Sequence, residues 1–280
     1  MTDFASQAGH WYAPDGSPAY TVQAKNGSGL RPTTIRDARA LGLLPSVTTI
    51  LKVANKPALT EWLINQALDA ALTLPRLPGE SADAFKKRAR TDSGQQTRDA
   101  ADAGSALHAS LEGHFKGGMV PSDHIPHCVT VERELAAKGF AGPWDAERSF
   151  ASPLGFGGKM DLSSHDCVAD FKSKPTIEGG KRYAYDEHGM QLAAYAYGIG
   201  RPGAALVNVF VGLKDAAVLV HVWPKEETRR FWRMFQLLLE YWQEANQFGL
   251  NAAGAKMTPA QSMNATSAQT ETTSFAQGAA

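Results

Sequence analysis

The sequence predicts an α+β fold, a mixed central sheet flanked by helices behind an N-terminal helical lobe. Three observations point to it. Residues 81–116 are rich in helix formers, residues 145–174 break into three short strand-like runs joined by turn residues, and a helical stretch at 185–199 precedes two further strand-like runs. Hairpins together with one helical crossover make a sheet of mixed strand direction. The 280 residues, 43% hydrophobic and 20% charged, suffice for a sizeable core. That composition excludes a chain disordered throughout, a collagen-like chain and a coiled-coil rod.

The elements follow in order. Residues 10–23 carry Pro14-Asp15-Gly16 between two aromatic arms and read as a small hairpin; residues 24–44 read as irregular. Ser46 caps a helix that begins at Val47, and a second helix runs from Pro57 to Ala71, with Pro57 in its first turn. After a break from Pro75 to Gly79, residues 81–116 are predicted helical in two pieces parted near Ser93-Gly94, stopping at Gly117-Gly118. A short helix fits His127 to Lys138. Strands are expected at 145–152, 156–163 and 166–174, a helix at 185–199, strands from Leu206 to Leu213 and Val218 to Trp223, and a last helix from Glu226 to Phe248. On that helix Phe231, Phe235 and Trp242 make a helical stripe facing the core. The organisation is a hairpin and helical lobe over 1–80, a core over 81–250 and a disordered tail over 251–280, the tail holding only two charges, Lys256 and Glu271.

Several classes drop out. No run of about 18 apolar residues exists to span a membrane, and Met1 to Ser6 does not open a secretory signal, so a cytoplasmic setting is expected. Two cysteines, Cys128 and Cys167, make neither a disulfide framework nor a four-cysteine metal site. Lys plus Arg is 28 and Asp plus Glu is 28, a net charge of zero that at first sight speaks against a nucleic-acid binder.

The informative segment runs from Gly155 to Lys172. A hairpin turning at Ser164-His165 sets Asp161 opposite Val168 and Asp170 opposite Lys159. Alternation then puts residues 161, 168, 170 and 172 on one face and Leu162, Cys167 and Phe171 on the other. Asp161 and Asp170 become diagonal neighbours about 7–8 Å apart at the backbone, within reach of one ion. Two hard carboxylates beside Lys172 suit a phosphodiester. They can hold Mg²⁺ or Mn²⁺, which polarises a phosphoryl oxygen and lowers the pKa of a bound water. The lysine can orient or deprotonate that water and offset charge in the transition state. A carboxylate-x-Lys triplet alone is expected about once by chance in such a chain. Two more features join it. Gln191 and Tyr195, four apart on the next helix, share a face. Gly104-Ser105-Ala106-Leu107-His108 lies on the preceding helix, where His108 can add a nitrogen ligand and Glu112 follows one turn on.

Gly-x-x-x-His on a helix, then Gly-x-x-Asp, Asp-x-Lys and Gln-x-x-x-Tyr, in this order, resembles the PD-(D/E)XK nuclease superfamily. The likeness is to the branch with the RecB nuclease domain, the CRISPR-associated adaptation exonucleases and the mitochondrial genome maintenance exonuclease. Pro45-Ser46-Val47-Thr48-Thr49-Ile50-Leu51 looks like the opening of bacterial and phage members of the last group, and the likeness spans about residues 45–225. The resemblance implies a restriction-endonuclease-like αβββαβ core. It implies His108, Asp161, Asp170 and the Phe171 carbonyl as ligands of one or two Mg²⁺ or Mn²⁺ ions, and Lys172 as the catalytic lysine. Gln191 and Tyr195 would position DNA or support the site. Met160 stands where the family name has proline, and the chain lacks the cysteines for an iron–sulfur cluster.

Further candidates stand around this set. Glu147 on the first strand is a weaker one. His114, His124, His127 and Cys128 superficially suggest zinc, but their spacing matches no zinc pattern and Pro126 reads as loop. Lys86, Lys87, Arg88, Arg90 and Arg98 against Asp92 form a basic stretch suited to phosphates. Lys172, Lys174, Lys181 and Arg182 against Glu178 form a second, and Lys181-Arg182-Tyr183-Ala184-Tyr185 suits stacking on single-stranded bases. The expected activity is metal-dependent DNA exonuclease, on DNA with a free end, in recombination, repair or replication alongside partner proteins of those processes. A structure- or sequence-specific endonuclease of the same fold, or a non-catalytic DNA-binding module on it, are the alternatives.

Overall fold

Three strands in succession, a helix, and two more strands build one mixed sheet in this protein. The structure is a computed structural model that describes residues 9–27, 29–54 and 57–249. The tail expected to be disordered, 251–280, lies outside the described residues.

The N-terminal region departs from expectation. A turn does form at Pro14-Asp15-Gly16, where the Asp15 carboxylate accepts from the Ser17 N–H at 2.8 Å. Its arms also take further partners. β1 (Trp11–Tyr12) lies antiparallel to β4 (Leu44–Pro45), and β2 (Thr21–Gln23) to β3 (Leu30–Pro32). The expected 10–23 hairpin does close at its tip: the Tyr12–Pro18 bridge is flanked by the Ala13 N–H to the Ser17 carbonyl and the Ala19 N–H to the Trp11 carbonyl, both at 2.8 Å. The span expected to be irregular holds β3 and also α1 (Ile35–Leu41). Thr34 and Asp37 close a reciprocal capping box at its start, and Gly42 ends it with φ 64°. Ser46 caps α2 (Val47–Leu51) by accepting from the Thr49 N–H, as its sequence implies.

α3 (Pro57–Thr73) packs on α4 (Ala82–Phe115). α4 is one helix of 34 residues, not two pieces. Gly94 does not break it, because a single helical glycine costs only about 1 kcal/mol and the Ser93 hydroxyl bonds back to the Arg90 carbonyl at 3.1 Å. Next comes α5 (Ile125–Ala137), with Pro126 in its first turn, not in a loop. The sheet comprises β5 (Asp145–Ser152), β6 (Phe156–Ser163), β7 (Cys167–Lys174), β8 (Ala205–Gly212) and β9 (Val218–Val222), neighbours in that order. All pairs are antiparallel except β7 with β8, the pair joined through α6 (Asp186–Gly198). α7 (Glu227–Ala245) is the last element among the described residues.

The sheet is sandwiched between two apolar layers. On one face α4 and α5 bring Leu107, Leu111, Cys128, Val131 and Leu135 onto Leu162, Cys167, Ala169, Phe171, Val207 and Val209. On the other, α6 and α7 cover Phe150, Phe156, Met160, Val168 and Leu206. Trp11, Val47 and Ile50 join this second layer, and the Trp11 ring meets Trp242 and Phe248. The stripe of Phe231, Phe235 and Trp242 is buried there, as its spacing implies. β8 is covered on both faces, which explains its apolar run around one asparagine, Asn208. Among the described residues, no helix is long and apolar enough to cross a membrane.

Two strands break the simple alternation. Met160 packs with the α6–α7 layer and Leu162, two residues on, with the α4–α5 layer. Phe150 and Ala146 on β5 split in the same way. Between them sits Glu147 at φ 58°, a left-handed conformation that non-glycine residues rarely adopt. The β5–β6 hairpin therefore turns over at Glu147 and Asp161, and its two faces exchange there.

Candidate active site at the fork of the sheet

The register of β6 on β7 differs from expectation by two residues. The two-residue turn is His165-Asp166, closed by the Ser164 N–H to the Cys167 carbonyl at 2.9 Å. Leu162 pairs with Ala169 and Ser163 with Val168. Val168 thus faces Ser163, not Asp161, and continuing the register sets Asp161 directly across from Asp170 instead of diagonally. A shift of two keeps the face, so the predicted grouping of residues survives. The β6–β7 pairing stops at Leu162 and Ala169, whereas β6 stays paired to β5 and β7 to β8 beyond that point. The sheet forks there, with one carboxylate on each limb. The Asp161 carboxylate stands in for the lost ladder by accepting the Phe171 N–H at 2.7 Å.

α4 supplies the third group. His108 Nδ1 stands 3.6 Å from Asp161 Oδ2. Its ring is set edge-on to Phe171, whose other contact is a stack with Phe115. Gly104, one turn earlier, lets the helix come this close: a Cβ there would lie 2.6 Å from the Ser173 hydroxyl.

On the α6 side a chain of polar groups runs inward. Lys172 Nζ lies 2.7 Å from Asp170 Oδ2 and donates to Gln191 Oε1 at 3.1 Å. Gln191 in turn donates to the Tyr195 hydroxyl at 2.9 Å, so the predicted helical pair does share a face and touch. Both are buried, which makes them supports for Lys172 and not surface contacts for DNA. Asn208, paired with Asp170 across the parallel ladder, also donates to Asp170 Oδ2, at 3.1 Å.

Burial and charge set the protonation of this cluster. Burial pushes Asp161 up, but His108, Lys172 and the Phe171 N–H together hold it below the usual carboxylate range. Burial raises Asp170, Asp161 adds to that, and Lys172 offsets only part of it. Burial alone would lower Lys172, yet Asp170 and Asp161 keep it above the ordinary lysine value, so it is an ammonium at neutral pH. Burial opposes protonation of His108, and Asp161 reverses that to a net rise.

The cluster opens on a cleft of about 570 Å³ lined by His10, Gly104, His108, Glu112, Glu147, Lys159, Asp161 and Ser173 among others. Glu112 pairs with Lys116 at 2.6 Å, and Glu147 with Lys159. Two cis ligands of one octahedral ion at about 2.1 Å stand about 3 Å apart, close to the separation of the His108 and Asp161 donors. An imidazole with two carboxylates suits Mn²⁺ or Mg²⁺, so the residues fit the ion. Among the described residues, however, no three His, Cys, Asp or Glu side chains are already gathered as a cage; Asp170 is held by Lys172 and Asn208.

The expected basic contacts divide. Lys86, Lys87 and Arg90 are exposed on α4, but 18 to 22 residues before His108, about 27–33 Å along the helix axis. Arg88 is not available to phosphate: it is bidentate to Glu80, at 3.0 and 2.9 Å, and also donates to the Pro75 carbonyl. The Lys174 ammonium lies over the Phe210 ring, and burial and Lys172 lower its pKa. Lys181 pairs with Glu178 and lies over Tyr183, while Arg182 lies over Tyr185. The zinc grouping comes apart: His114 pairs with Glu132, His124 with the Ser110 hydroxyl, and His127 with the Leu213 carbonyl.

Sequence reasoning missed Asn208, Trp223, His10 and Lys159. Asn208 carried a usable signal, since a lone amide in Ala-Leu-Val-Asn-Val-Phe-Val needs a buried partner. His10 and Lys159 reach the cleft through long-range packing, which no local pattern encodes.

No family model matches the sequence, and no curated protein is significantly similar to it. A solved structure described as the crystal structure of SSO0001 aligns at 15% identity and TM-score 0.29, over 64% of this chain and 86% of that one.

Proposed function

We propose that this protein is a metal-dependent deoxyribonuclease with a PD-(D/E)XK-type core, hydrolysing phosphodiester bonds from a free DNA end. The observation that carries the reading is the fork: Asp161 and Asp170 on diverging strands, Lys172 held between Asp170 and Gln191, and His108 facing Asp161, with His108 and Asp161 lining an open cleft. Asp161, Asp170 and His108 would hold the cation, with the Phe171 carbonyl as the further ligand that the family resemblance implies. When bound, the ion supplies Lewis-acid polarisation of the phosphoryl oxygen and a more acidic water.

The protein's own groups do the rest. Lys172 is an ammonium with three N–H bonds. Two are directed at Asp170 and Gln191, which leaves the third for a phosphoryl oxygen, where it offsets charge building in the transition state. Asp170 and Asp161 favour the charged form of Lys172, which suits an electrostatic role. The carboxylates repel an approaching phosphate, so binding at the fork depends on the cation. In-line attack leaves a 5′-phosphate and a 3′-hydroxyl.

The test is cleavage of end-labelled linear strands, single and double, with and without Mg²⁺. Lys172→Ala and Asp170→Ala abolish Mg²⁺-dependent cleavage while circular dichroism stays native; full activity in either purified variant sinks the reading. A covalently closed single-stranded circle survives if the enzyme needs an end. DNA bound equally in EDTA and cleaved with neither Mg²⁺ nor Mn²⁺ replaces the reading with a binding module.

A further inference from the structure

Asn208 is wholly buried in the middle of β8, and both ends of its amide are engaged. Its Nδ2 donates to Asp170 Oδ2 at 3.1 Å, and its Oδ1 accepts from the Trp223 indole N–H at 2.8 Å. The amide's orientation is fixed by chemistry. An indole nitrogen only donates and a carboxylate only accepts, so the carbonyl end must face Trp223 and the amino end Asp170. Trp223 is in turn held by its own N–H to the Leu206 carbonyl at 2.9 Å and by edge contacts with Phe231 and His221.

We propose that Trp223 and Asn208 are positioning residues that fix the carboxylate plane of Asp170, turning Oδ2 inward and presenting Oδ1 to the cation. Lys172 and Asn208 both converge on Oδ2. Lys172 is 27% exposed in its side chain and is shared with Gln191 of α6, while Asn208 is wholly buried, comes from the neighbouring strand and is held at its other end by Trp223. The buried donor, held at both ends, sets the plane. Trp223 never approaches the reacting phosphate and acts only by denying Asn208 the flipped orientation. In that orientation a carbonyl would face a carboxylate. The inference rests on the proposed cation site, and partners of this kind around a ligand are worth about 10–100-fold in metal affinity.

The experiment is a Mn²⁺ titration of the DNA-free protein, reading free Mn²⁺ by electron paramagnetic resonance, with thermal melts alongside. Trp223→Phe keeps an aromatic ring and removes the indole N–H; Asn208→Leu keeps the branching at Cγ and removes the amide. Each variant is expected to weaken Mn²⁺ binding about tenfold or more. The double variant is expected to be no weaker than Asn208→Leu alone, because the two residues act as one chain. Unchanged Mn²⁺ affinity in both single variants, whatever their melting temperatures, overturns the inference, as does an additive double variant. A wild-type protein that binds Mn²⁺ no better than Asp170→Asn overturns the cation site itself. The two failures are therefore distinguishable.

Discussion

Glu147 shows how a single backbone angle serves the site. At φ 58° it is the point where β5 turns over, and its side chain reaches Lys159 on the cleft wall. A left-handed L-residue costs about 1–2 kcal/mol, and glycine is spared that cost. Glu147→Ala and Glu147→Gly both remove the carboxylate, so their difference isolates the backbone. The glycine variant is expected to be the more stable by about 1 kcal/mol in urea unfolding, the reverse of the usual order in a strand. Much at this scale was legible from spacing. Asp161, Asp170 and Lys172 share a face because strand side chains alternate, and a register error of two left that intact. Glu147 was legible only as a carboxylate on a strand, since nothing in Ala-Glu-Arg announces a left-handed residue. The Asn208–Trp223 contact joins residues on different strands, and a linear pattern holds no record of which strands lie side by side.

Among the elements, the strands and helices after residue 120 match their sequence signals to within a few residues, because short turns and alternation are local. The N-terminal pairings do not, because β1 finds its partner more than 30 residues away at β4. α6 makes the packing argument testable. A Cβ on Gly189 would lie 2.5 Å from the Phe231 ring, whereas one on Gly94 of α4 would meet nothing nearer than the Arg98 guanidinium at 3.9 Å. Alanine normally stabilises a helix relative to glycine. Gly94→Ala is therefore expected to gain up to about 1 kcal/mol, and Gly189→Ala to lose about 1–3 kcal/mol from overpacking against Phe231. Paired urea melts check both. Equal effects at the two positions would mean that α7 does not press on α6 as closely as the contact requires.

For the molecule as a whole, the zero net charge hides separation: acidic groups converge at the fork, and the exposed cations Lys87 and Arg90 stand apart on α4. On the proposed reading, Lys87→Ala with Arg90→Ala is expected to lower the salt slope of DNA binding by about 2, roughly one per lost phosphate contact. Arg88→Ala is expected to act on stability instead, because Glu80 occupies its guanidinium. Fluorescence anisotropy across a salt series separates the two. The layered core gives a second test. Cys128 and Cys167 are both fully buried between the sheet and the α4–α5 layer, and burial pushes the Cys167 thiol up to about 12. Neither is expected to react with a disulfide reagent at pH 8 in the native protein, and both are expected to react in denaturant. A thiolate is needed for exchange, and access is denied as well.

The unbroken length of α4 gives the molecule a ruler. Arg90 and Lys87 stand about 27 and 32 Å along the axis from His108, which is the length of about 8–9 base pairs of duplex. On the proposed reading, a DNA fragment shorter than that cannot be held at the fork and at these cations at once. The minimum substrate would then be counted off by the number of helical turns between one histidine and two cations, and an insertion of whole turns within α4 would lengthen it in proportion.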